Sequence, residues 1–163
     1  MPGATIAVDQ TIFDLSMDDF KKVTELNLNG SVIPSLVFGK IMADQKSGSI
    51  INYSSMSVDR VITRVVGYSA SKAGIENFTR WMAVEMALKF GPGVRVNAIA
   101  PGIFHSEMAD AMLERIGDVS KGLPRKRICV PEQMDSTLLF LVSPSSECVT
   151  GTCIKIDDGQ TAR

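Results

Sequence analysis

The sequence predicts an α/β fold in which parallel strands are covered by helices on both faces. Three short runs rich in β-branched and apolar residues are separated by segments of ten or more residues with helical periodicity. Strands that alternate with helices of that length are typical of parallel βαβ units. Three strands are fewer than the ~5–6 of an average sheet, so we expect one domain with an incomplete sheet.

The first helical segment begins after Ser16, which suits an N-cap because acidic residues fill the turn that follows. Apolar residues at helical spacing extend the pattern to about Asp44, where "KSGS" ends it. Pro34 lies inside this pattern and is expected to kink or restart the helix. The apolar run at residues 49–53 follows and predicts a buried strand.

A second long helix is predicted at about residues 67–90, with an apolar surface so broad that it needs cover on more than one side. The next strand is "VRVNAIA", which Pro101 and Gly102 end. The polar segment 104–122 predicts a short helix within a long loop. Two further elements are predicted near the C-terminus: a helix with Pro131 in its first turn and a strand at about residues 152–156.

The composition is that of an ordinary soluble domain, with 163 residues, 45% hydrophobic and 21% charged, and a formal net charge of −1. This charge argues against a nucleic-acid-binding protein, and the short run "PRKR" predicts a solvated loop, with an anion or partner contact as the alternative. The three cysteines lack the spacing of a metal site, which favours a reducing cytoplasm. We expect neither secretion nor membrane insertion, because no signal-peptide pattern or long apolar run is visible.

Tyr68 and Lys72 are four residues apart and therefore lie on one face of the predicted helix. A phenol with an ordinary pKa of ~10 exchanges protons poorly at neutral pH unless a cation stabilises its phenolate. Lys72 could supply that cation. Ser55 ends a predicted strand, where parallel sheets place their ligand crevice. The three residues are a candidate acid/base centre, and an ordinary helix surface is the alternative interpretation of the Tyr–Lys pair.

Five motifs follow one another along almost the whole chain: "NLNG", "INYSS", "YSASK", "VRVNAIAPG" and "VTGTCIKIDDGQ". In this order they resemble the catalytic half of the short-chain dehydrogenase/reductase family. The resemblance implies an incomplete Rossmann-like fold, which is a doubly wound parallel sheet in a three-layer αβα arrangement. It also implies an oxidoreductase that interconverts a secondary alcohol and a ketone with NAD or NADP as cofactor.

The resemblance assigns a role to each of four catalytic residues. Tyr68 would exchange a proton with the substrate oxygen, and Ser55 would hold that oxygen. Lys72 would lower the pKa of Tyr68 and hydrogen-bond the nicotinamide ribose. Asn27, preferred to Asn29 because of its distance from the following glycine, would position a water that links Lys72 to solvent.

The remaining implied site residues surround this centre. Tyr68, Lys72 and the segment Pro101, Gly102 and Ile103 would contact the cofactor. Ser55, Met56 and His105 would contact the substrate, although His105 could also be a merely polar loop residue. Residues 104–122 would form the substrate lid, and no metal is implied.

The family's glycine-rich nucleotide-binding turn is absent from these residues. We therefore expect residues 1–163 to form a single partial domain that lacks the N-terminal nucleotide-binding half. One sheet edge should be unpaired, and we expect the isolated chain to be inactive. A non-catalytic oligomerisation or regulatory module derived from the same family is the alternative.

Within the family, the two long helical segments resemble the bacterial branch of D-mannonate oxidoreductases, or fructuronate reductases. That branch implies a keto-uronate or related polyol acid, whose carboxylate could contact Arg60, Arg64, Arg125 or Arg127, with surface arginine as the alternative. The same segments, about residues 16–44 and 67–90, resemble helices that pair in dimers of the family. We therefore expect a homo-oligomer, a dimer or tetramer, with a small-molecule substrate and no nucleic-acid or membrane partner.

Overall fold

A computed structural model describes residues 11–162 of the chain, apart from the side chains of residues 108, 115 and 116. The five α-helices and three strands of this part are, in chain order, α1 (Met17–Thr24), α2 (Gly30–Gln45), β1 (Gly48–Tyr53), α3 (Val66–Phe90), β2 (Val94–Pro101), α4 (Glu107–Ile116), α5 (Asp135–Val142) and β3 (Cys153–Ile156). The predicted alternation of helices and strands is confirmed. None of the described helices is long and apolar enough to cross a bilayer.

The three strands form one parallel sheet in the order β1-β2-β3. Ile50 of β1 lies opposite Val96 of β2, and Ala98 of β2 lies opposite Cys153 of β3. Within residues 11–162, β1 pairs on one side only, so its other edge presents unpaired backbone groups. This agrees with the expectation of an incomplete sheet.

Alternate residues of the strands face two separate cores, because successive side chains of a strand point to opposite faces. On one face, Ile50 and Val96 pack with residues of α2 and α3, including Met82. On the other face, Ile99 packs with Leu141 of α5. The helices therefore cover both faces of the sheet, and the predicted three-layer arrangement is confirmed for the described residues.

A buried amide on β1 joins the sheet to both helices of one layer. The Ser35 hydroxyl of α2 donates to Asn52 Oδ1 at 3.1 Å, and Asn52 Nδ2 donates to Thr79 Oγ1 of α3 at 3.0 Å. Buried polar groups that are fully paired fix a single arrangement of the elements that carry them. Asn52 thus fixes how α2 and α3 sit on β1, next to the end of the strand.

The first helical segment is irregular at a different place from the one that the sequence predicts. The backbone widens into a π-helical turn at Glu25–Asn29, whereas α2 continues through Pro34 without restarting. A proline removes one backbone donor, and a long helix whose other residues remain bonded can tolerate that loss. Single π-helical turns are frequent at functional sites, and this one carries the buried Asn27.

The C-terminal half follows the predicted order with two shifted boundaries. Residues 104–122 contain the short helix α4, which Ser106 caps, and a 3₁₀ turn at Ser120–Gly122. The helix expected to begin at Pro131 instead starts with a 3₁₀ turn, Pro131–Met134, and α5 begins only at Asp135. The last strand begins at Cys153, one residue later than predicted.

The beginnings of β1 and β2 approach each other closely at a glycine. The Gly48 amide donates to the Gly93 carbonyl at 3.0 Å, and a Cβ atom at Gly93 would overlap the Lys46 carbonyl oxygen. Lys46 itself has a left-handed backbone, with φ of 58°. The atoms that a methyl group at Gly93 would meet belong to the backbone of Lys46 and Ser47. They therefore cannot rotate away from it as a side chain could.

We expect Gly93→Ala to lower the free energy of unfolding by about 1–3 kcal/mol, as overpacking in a rigid environment does. Gly30→Ala is the matched control, since nothing lies within 4 Å of the added Cβ and its φ of −62° suits alanine. Denaturant-induced unfolding of the purified chain measures both values. Equal stability of the two variants would contradict the close approach at Gly93.

Candidate active site

Helix α3 carries Tyr68 and Lys72 one turn apart, close to the end of β1. The Lys72 ammonium nitrogen lies 5.6 Å from the centroid of the Tyr68 ring. Lys72 is buried, with 4% of the residue exposed, whereas Tyr68 is partly exposed. Lys72 Nζ donates to the Tyr53 carbonyl of β1 at 2.9 Å. The helix face predicted from the spacing of these residues is therefore an internal face, directed at the sheet.

Burial lowers the pKa of Lys72 from 10.5 to about 8. The cause is the loss of water around the ammonium, which disfavours the charged form. A lysine with this pKa gains and loses its proton near neutral pH, unlike an exposed lysine. Such shifts are concentrated at functional sites.

The pKa of Tyr68 is raised, chiefly because burial disfavours the phenolate, while a hydrogen bond with the Ser55 side chain acts in the opposite direction. This net direction is opposite to the lowering that the resemblance implies. The physical reason is that desolvation of the phenol outweighs the stabilisation available from its neighbours in this structure. Tyr68 is therefore held as a neutral phenol and can donate a proton.

Ser55 lies two residues after the end of β1 and has an extended backbone, with φ of −163°. Its hydroxyl accepts a hydrogen bond from the Ser57 amide at 3.2 Å and so caps the 3₁₀ turn Met56–Val58. Ser55 and Met56 are both buried. The strand exit and α3 thus bring Ser55, Tyr68 and Lys72 together, as the convergence of a strand end with a helix face predicts.

Asn27 reaches the same helix from the π-helical turn. It is almost fully buried, and its Nδ2 donates to Ser71 Oγ at 3.1 Å. Ser71 Oγ in turn donates to the Tyr68 carbonyl at 2.7 Å. Asn27 is therefore connected to the backbone of the Tyr68 turn through Ser71, and Ser71 is a residue that the sequence analysis did not single out.

The segment after β2 is held against the C-terminal segment. The Gly102 amide donates to the Ile156 carbonyl at 3.0 Å, and the Ile103 amide donates to Gln160 Oε1 at 3.1 Å. A Cβ at Gly102 would lie 2.9 Å from Asp157 Cα and from Gln160 Cδ, so the packing requires glycine here. Pro101, Gly102 and Ile103 are consequently fixed at the end of β2.

Gln160 is a site-supporting residue that sequence reasoning missed. Its side chain is fully buried, and its backbone carbonyl accepts a hydrogen bond from Arg60 Nη1 at 3.3 Å. The sequence contains one signal, because Gln160 lies in the closing motif "VTGTCIKIDDGQ". A glutamine at the end of a motif, however, does not reveal that its amide will fold back onto residue 103.

Three arginines considered for a substrate carboxylate have partners within the protein. Arg125 Nη1 lies 2.5 Å from Asp158 Oδ1, and Arg127 Nε lies 2.7 Å from Asp158 Oδ2. These hydrogen bonds lower the pKa of Asp158 to about 2. Arg60 is bonded to Gln160 as described above. These contacts favour the alternative in which the three arginines stabilise the protein surface.

The lid residue His105 is exposed, and its Nδ1 lies 2.9 Å from Asp110 Oδ1 of α4. This contact connects the segment after β2 to the predicted lid helix. A contact of His105 with substrate stays a prediction. Among the described residues, no group of three or more His, Cys, Asp or Glu side chains could hold a metal ion.

A cavity of about 300 Å³ lies beside the unpaired edge of β1, between this strand and α2. Its walls include Pro34 and Phe38 of α2, Tyr53 of β1, and Lys72. The Lys72 side chain is therefore approached from two sides, by the Tyr68 ring and by this cavity. A small molecule or a polypeptide segment could contact the lysine from the cavity side.

The family model described as enoyl-(acyl carrier protein) reductase matches residues 3–161 of the chain. An uncharacterized oxidoreductase UxuB of Bacillus subtilis is 41% identical over 159 residues, which cover 92% of this chain and 56% of that protein. An NAD-dependent glycerol dehydrogenase of Listeria innocua is 33% identical over 163 residues, which cover 99% of this chain and 63% of that protein. The chain thus spans less than two thirds of the length of these relatives.

A comparison with solved structures agrees with these sequence matches. The crystal structure of gox2181 superposes with a TM-score of 0.89 at 30% identity, and the match covers 99% of this chain and 63% of that one. The matched model, the oxidoreductase relatives and the superposition agree on one family. The chain belongs to the short-chain dehydrogenase/reductase family.

Proposed function

We propose that the chain carries the acid/base centre of an NAD(P)-dependent oxidoreductase that interconverts a secondary alcohol and a ketone. The observation that carries this proposal is the convergence of Ser55, Tyr68 and the buried Lys72 at the end of β1. Membership of an oxidoreductase family supports the reaction class. The cofactor supplies the hydride chemistry when it is bound.

In ketone reduction, the neutral Tyr68 phenol donates its proton to the substrate oxygen, and in alcohol oxidation it takes that proton back. The Ser55 hydroxyl holds the same oxygen by a hydrogen bond, which orients the carbonyl for proton transfer. The Lys72 ammonium stabilises the phenolate that remains after donation, because Lys72 is buried and its nitrogen lies close to the Tyr68 ring. Asn27 supports this turn through Ser71 and, in our proposal, positions a water next to Lys72.

The residues present fit the nicotinamide end of the cofactor. Lys72 has a donor nitrogen next to the partly exposed Tyr68 phenol, which suits the two hydroxyls of a ribose. Pro101, Gly102 and Ile103 form a rigid wall at the end of β2, which suits an aromatic ring. We propose NAD or NADP as the cofactor, and the relative from Listeria innocua, which is named an NAD-dependent enzyme, supports a nicotinamide cofactor.

We propose a sugar acid, such as a keto-uronate, or a related polyol as substrate. The glycerol dehydrogenase relative supports a polyol, and the sugar-acid alternative rests on the sequence resemblance. The family model that matches residues 3–161 is described as an acyl-carrier-protein reductase. A thioester-linked ketone is therefore the competing substrate class. Met56 next to Ser55, and His105 in the lid, are the residues proposed to contact the part of the substrate beyond the reacting carbon.

We further propose that the protein is a cytoplasmic homo-oligomer. Ten large apolar side chains on α2 and α3 are exposed in the single chain, and an apolar surface of this extent favours association. They are Ile33, Leu36, Val37, Phe38, Ile41, Val66, Trp81, Val84, Leu88 and Phe90. A module that only associates and does not catalyse is the second candidate, and these same faces support it.

The functional test measures nicotinamide absorbance with a panel of keto-uronates, their alcohols and polyols. We expect no turnover by the chain alone, and turnover once it is joined to a glycine-rich nucleotide-binding half. Tyr68→Phe should then lower kcat by about 10²–10⁴-fold, the usual contribution of general acid–base catalysis.

The matched control is Ser69→Ala, which removes a neighbouring buried hydroxyl that has no hydrogen-bond partner among the described residues. Ser69→Ala should turn over like the parent protein. Absence of turnover in the joined protein with both NAD(H) and NADP(H) would refute the oxidoreductase proposal. Full activity of Tyr68→Phe would refute the role of the phenol.

Sedimentation velocity tests the association. We expect the chain to sediment as a dimer or tetramer at micromolar concentration, and Val84→Glu on α3 to shift it to the monomer because a charge would have to be buried between two copies. Val61→Glu is the matched control, since Val61 is 87% exposed and lies outside both helices. A parent chain that is monomeric throughout this range would contradict the proposed interface.

A further inference from the structure

A second ionisable residue of α3 faces the interior next to the site. Glu76 lies one helical turn beyond Lys72 and is buried. Its Oε1 accepts hydrogen bonds from Ser54 Oγ at 2.6 Å and from Cys153 Sγ at 3.4 Å. Arg80 Nη1 lies 3.7 Å from its other oxygen. A buried carboxylate is costly unless hydrogen-bond donors surround it. The three partners of Glu76 therefore indicate that its carboxylate has a defined structural role.

The bonds of Glu76 continue a regular pattern between α3 and the end of β1. Residues 68, 72 and 76 form one stripe of the helix, because each lies four residues after the last. Lys72 donates to the carbonyl of Tyr53, and Glu76 accepts from the hydroxyl of Ser54. The side chain of Ser55 lies near enough to Tyr68 to oppose the rise in its pKa. Two consecutive residues at the strand end, Tyr53 and Ser54, are thus each held by one turn of the helix, and Ser55 follows them beside Tyr68.

Ser54 depends on Glu76 for the position of its side chain. Among the described residues, the Ser54 hydroxyl has one further hydrogen-bond partner, the Lys72 carbonyl. The distance of 3.5 Å is at the outer limit of a hydrogen bond. Its backbone amide is fixed separately by the Ile99 carbonyl of β2 at 2.8 Å. Loss of the Glu76 bond would therefore leave the backbone attached to the sheet but free the turn that leads into Ser55.

We propose that Glu76 is a positioning residue: its carboxylate holds the Ser54 hydroxyl and thereby fixes the strand end from which Ser55 meets Tyr68. This inference rests on the function proposed above, because it assigns Glu76 to the same acid/base centre. A displacement of about 1 Å at such a centre can cost about 10²-fold in rate.

Cys153 attaches the neighbouring strand to the same carboxylate. Burial, together with the Glu76 charge, raises the pKa of the Cys153 thiol to about 12. The thiol therefore remains protonated near neutral pH and keeps its hydrogen to donate. Glu76 in this way connects α3 to the end of β1 and to the beginning of β3.

The test uses two variants that separate hydrogen bonding from charge. Ser54→Ala removes the donor and leaves every charge in place. Glu76→Gln removes the charge and keeps an acceptor oxygen for Ser54. The matched control is Ser57→Ala, which removes another buried hydroxyl of the same turn that has no partner among residues 11–162. If Ser54→Ala does not fold, Ser54→Cys, with a weaker donor, replaces it.

The first measurement is the pKa of Tyr68, followed by NMR of chain labelled with ¹³Cζ-tyrosine. The sequence has two tyrosines, Tyr53 and Tyr68, and their signals are assigned with Tyr68→Phe. Ser54→Ala should raise the pKa of Tyr68 by about 0.5–1 unit, the equivalent of one weakened hydrogen bond. Glu76→Gln should leave this pKa unchanged or lower it, because removal of a negative charge favours the phenolate.

The second measurement is turnover of the joined protein. Ser54→Ala should lower kcat about 10-fold or more with little change in KM, while Ser57→Ala retains most of the activity. A folded Ser54→Ala chain with an unchanged Tyr68 pKa would overturn the inference, even if its thermal stability fell. If no protein turns over any substrate, the proposed function fails, but the NMR titration still decides whether Glu76 and Ser54 position Ser55.

Discussion

The structure depends on the burial of Lys72 between α3 and the end of β1. Its hydrogen bond to the Tyr53 carbonyl joins the central helix to the central sheet at the point where the strand ends. The two other members of the acid/base centre are placed relative to this contact: Tyr68 one turn earlier on α3, and Ser55 two residues after the bonded carbonyl. An ammonium group buried in this way is costly, so the surrounding packing must hold it in place.

The burial of Lys72 and Tyr68 makes stability depend on pH in two opposite ways. Lys72 binds its proton less tightly in the folded chain, so between about pH 8 and its ordinary pKa of 10.5 the unfolded chain holds more protons. Its contribution to stability therefore rises with pH across that window. The raised pKa of Tyr68 has the reverse effect, because the folded chain keeps the phenol proton longer than the unfolded chain. Burial thus keeps Tyr68 as the neutral phenol and brings the titration of Lys72 down to about pH 8, which suits proton exchange more than structural stability.

The sequence predicted the features that depend on local pattern. Helix α3, strands β1 and β2, and the grouping of Ser55, Tyr68 and Lys72 follow from periodicity and motif spacing. The π-helical turn at Glu25–Asn29 was not predicted, because proline is the visible helix breaker and the widened turn has no comparable marker. The raised pKa of Tyr68 was also missed, since it depends on how deeply packing buries the phenol. Gln160 and the Ser54–Glu76 bond join residues far apart in the chain, and no local pattern encodes such pairs.

The central claim is that burial lowers the pKa of Lys72, so that its ammonium group titrates near neutral pH. NMR of chain labelled with ¹³Cε-lysine measures this directly, with the signal assigned by its absence in Lys72→Met. The account predicts that one lysine signal titrates with a midpoint near pH 8, while exposed lysines titrate near ~10.4. A Lys72 signal that titrates together with the exposed lysines would contradict the account, because the ammonium would then be hydrated and not buried against β1.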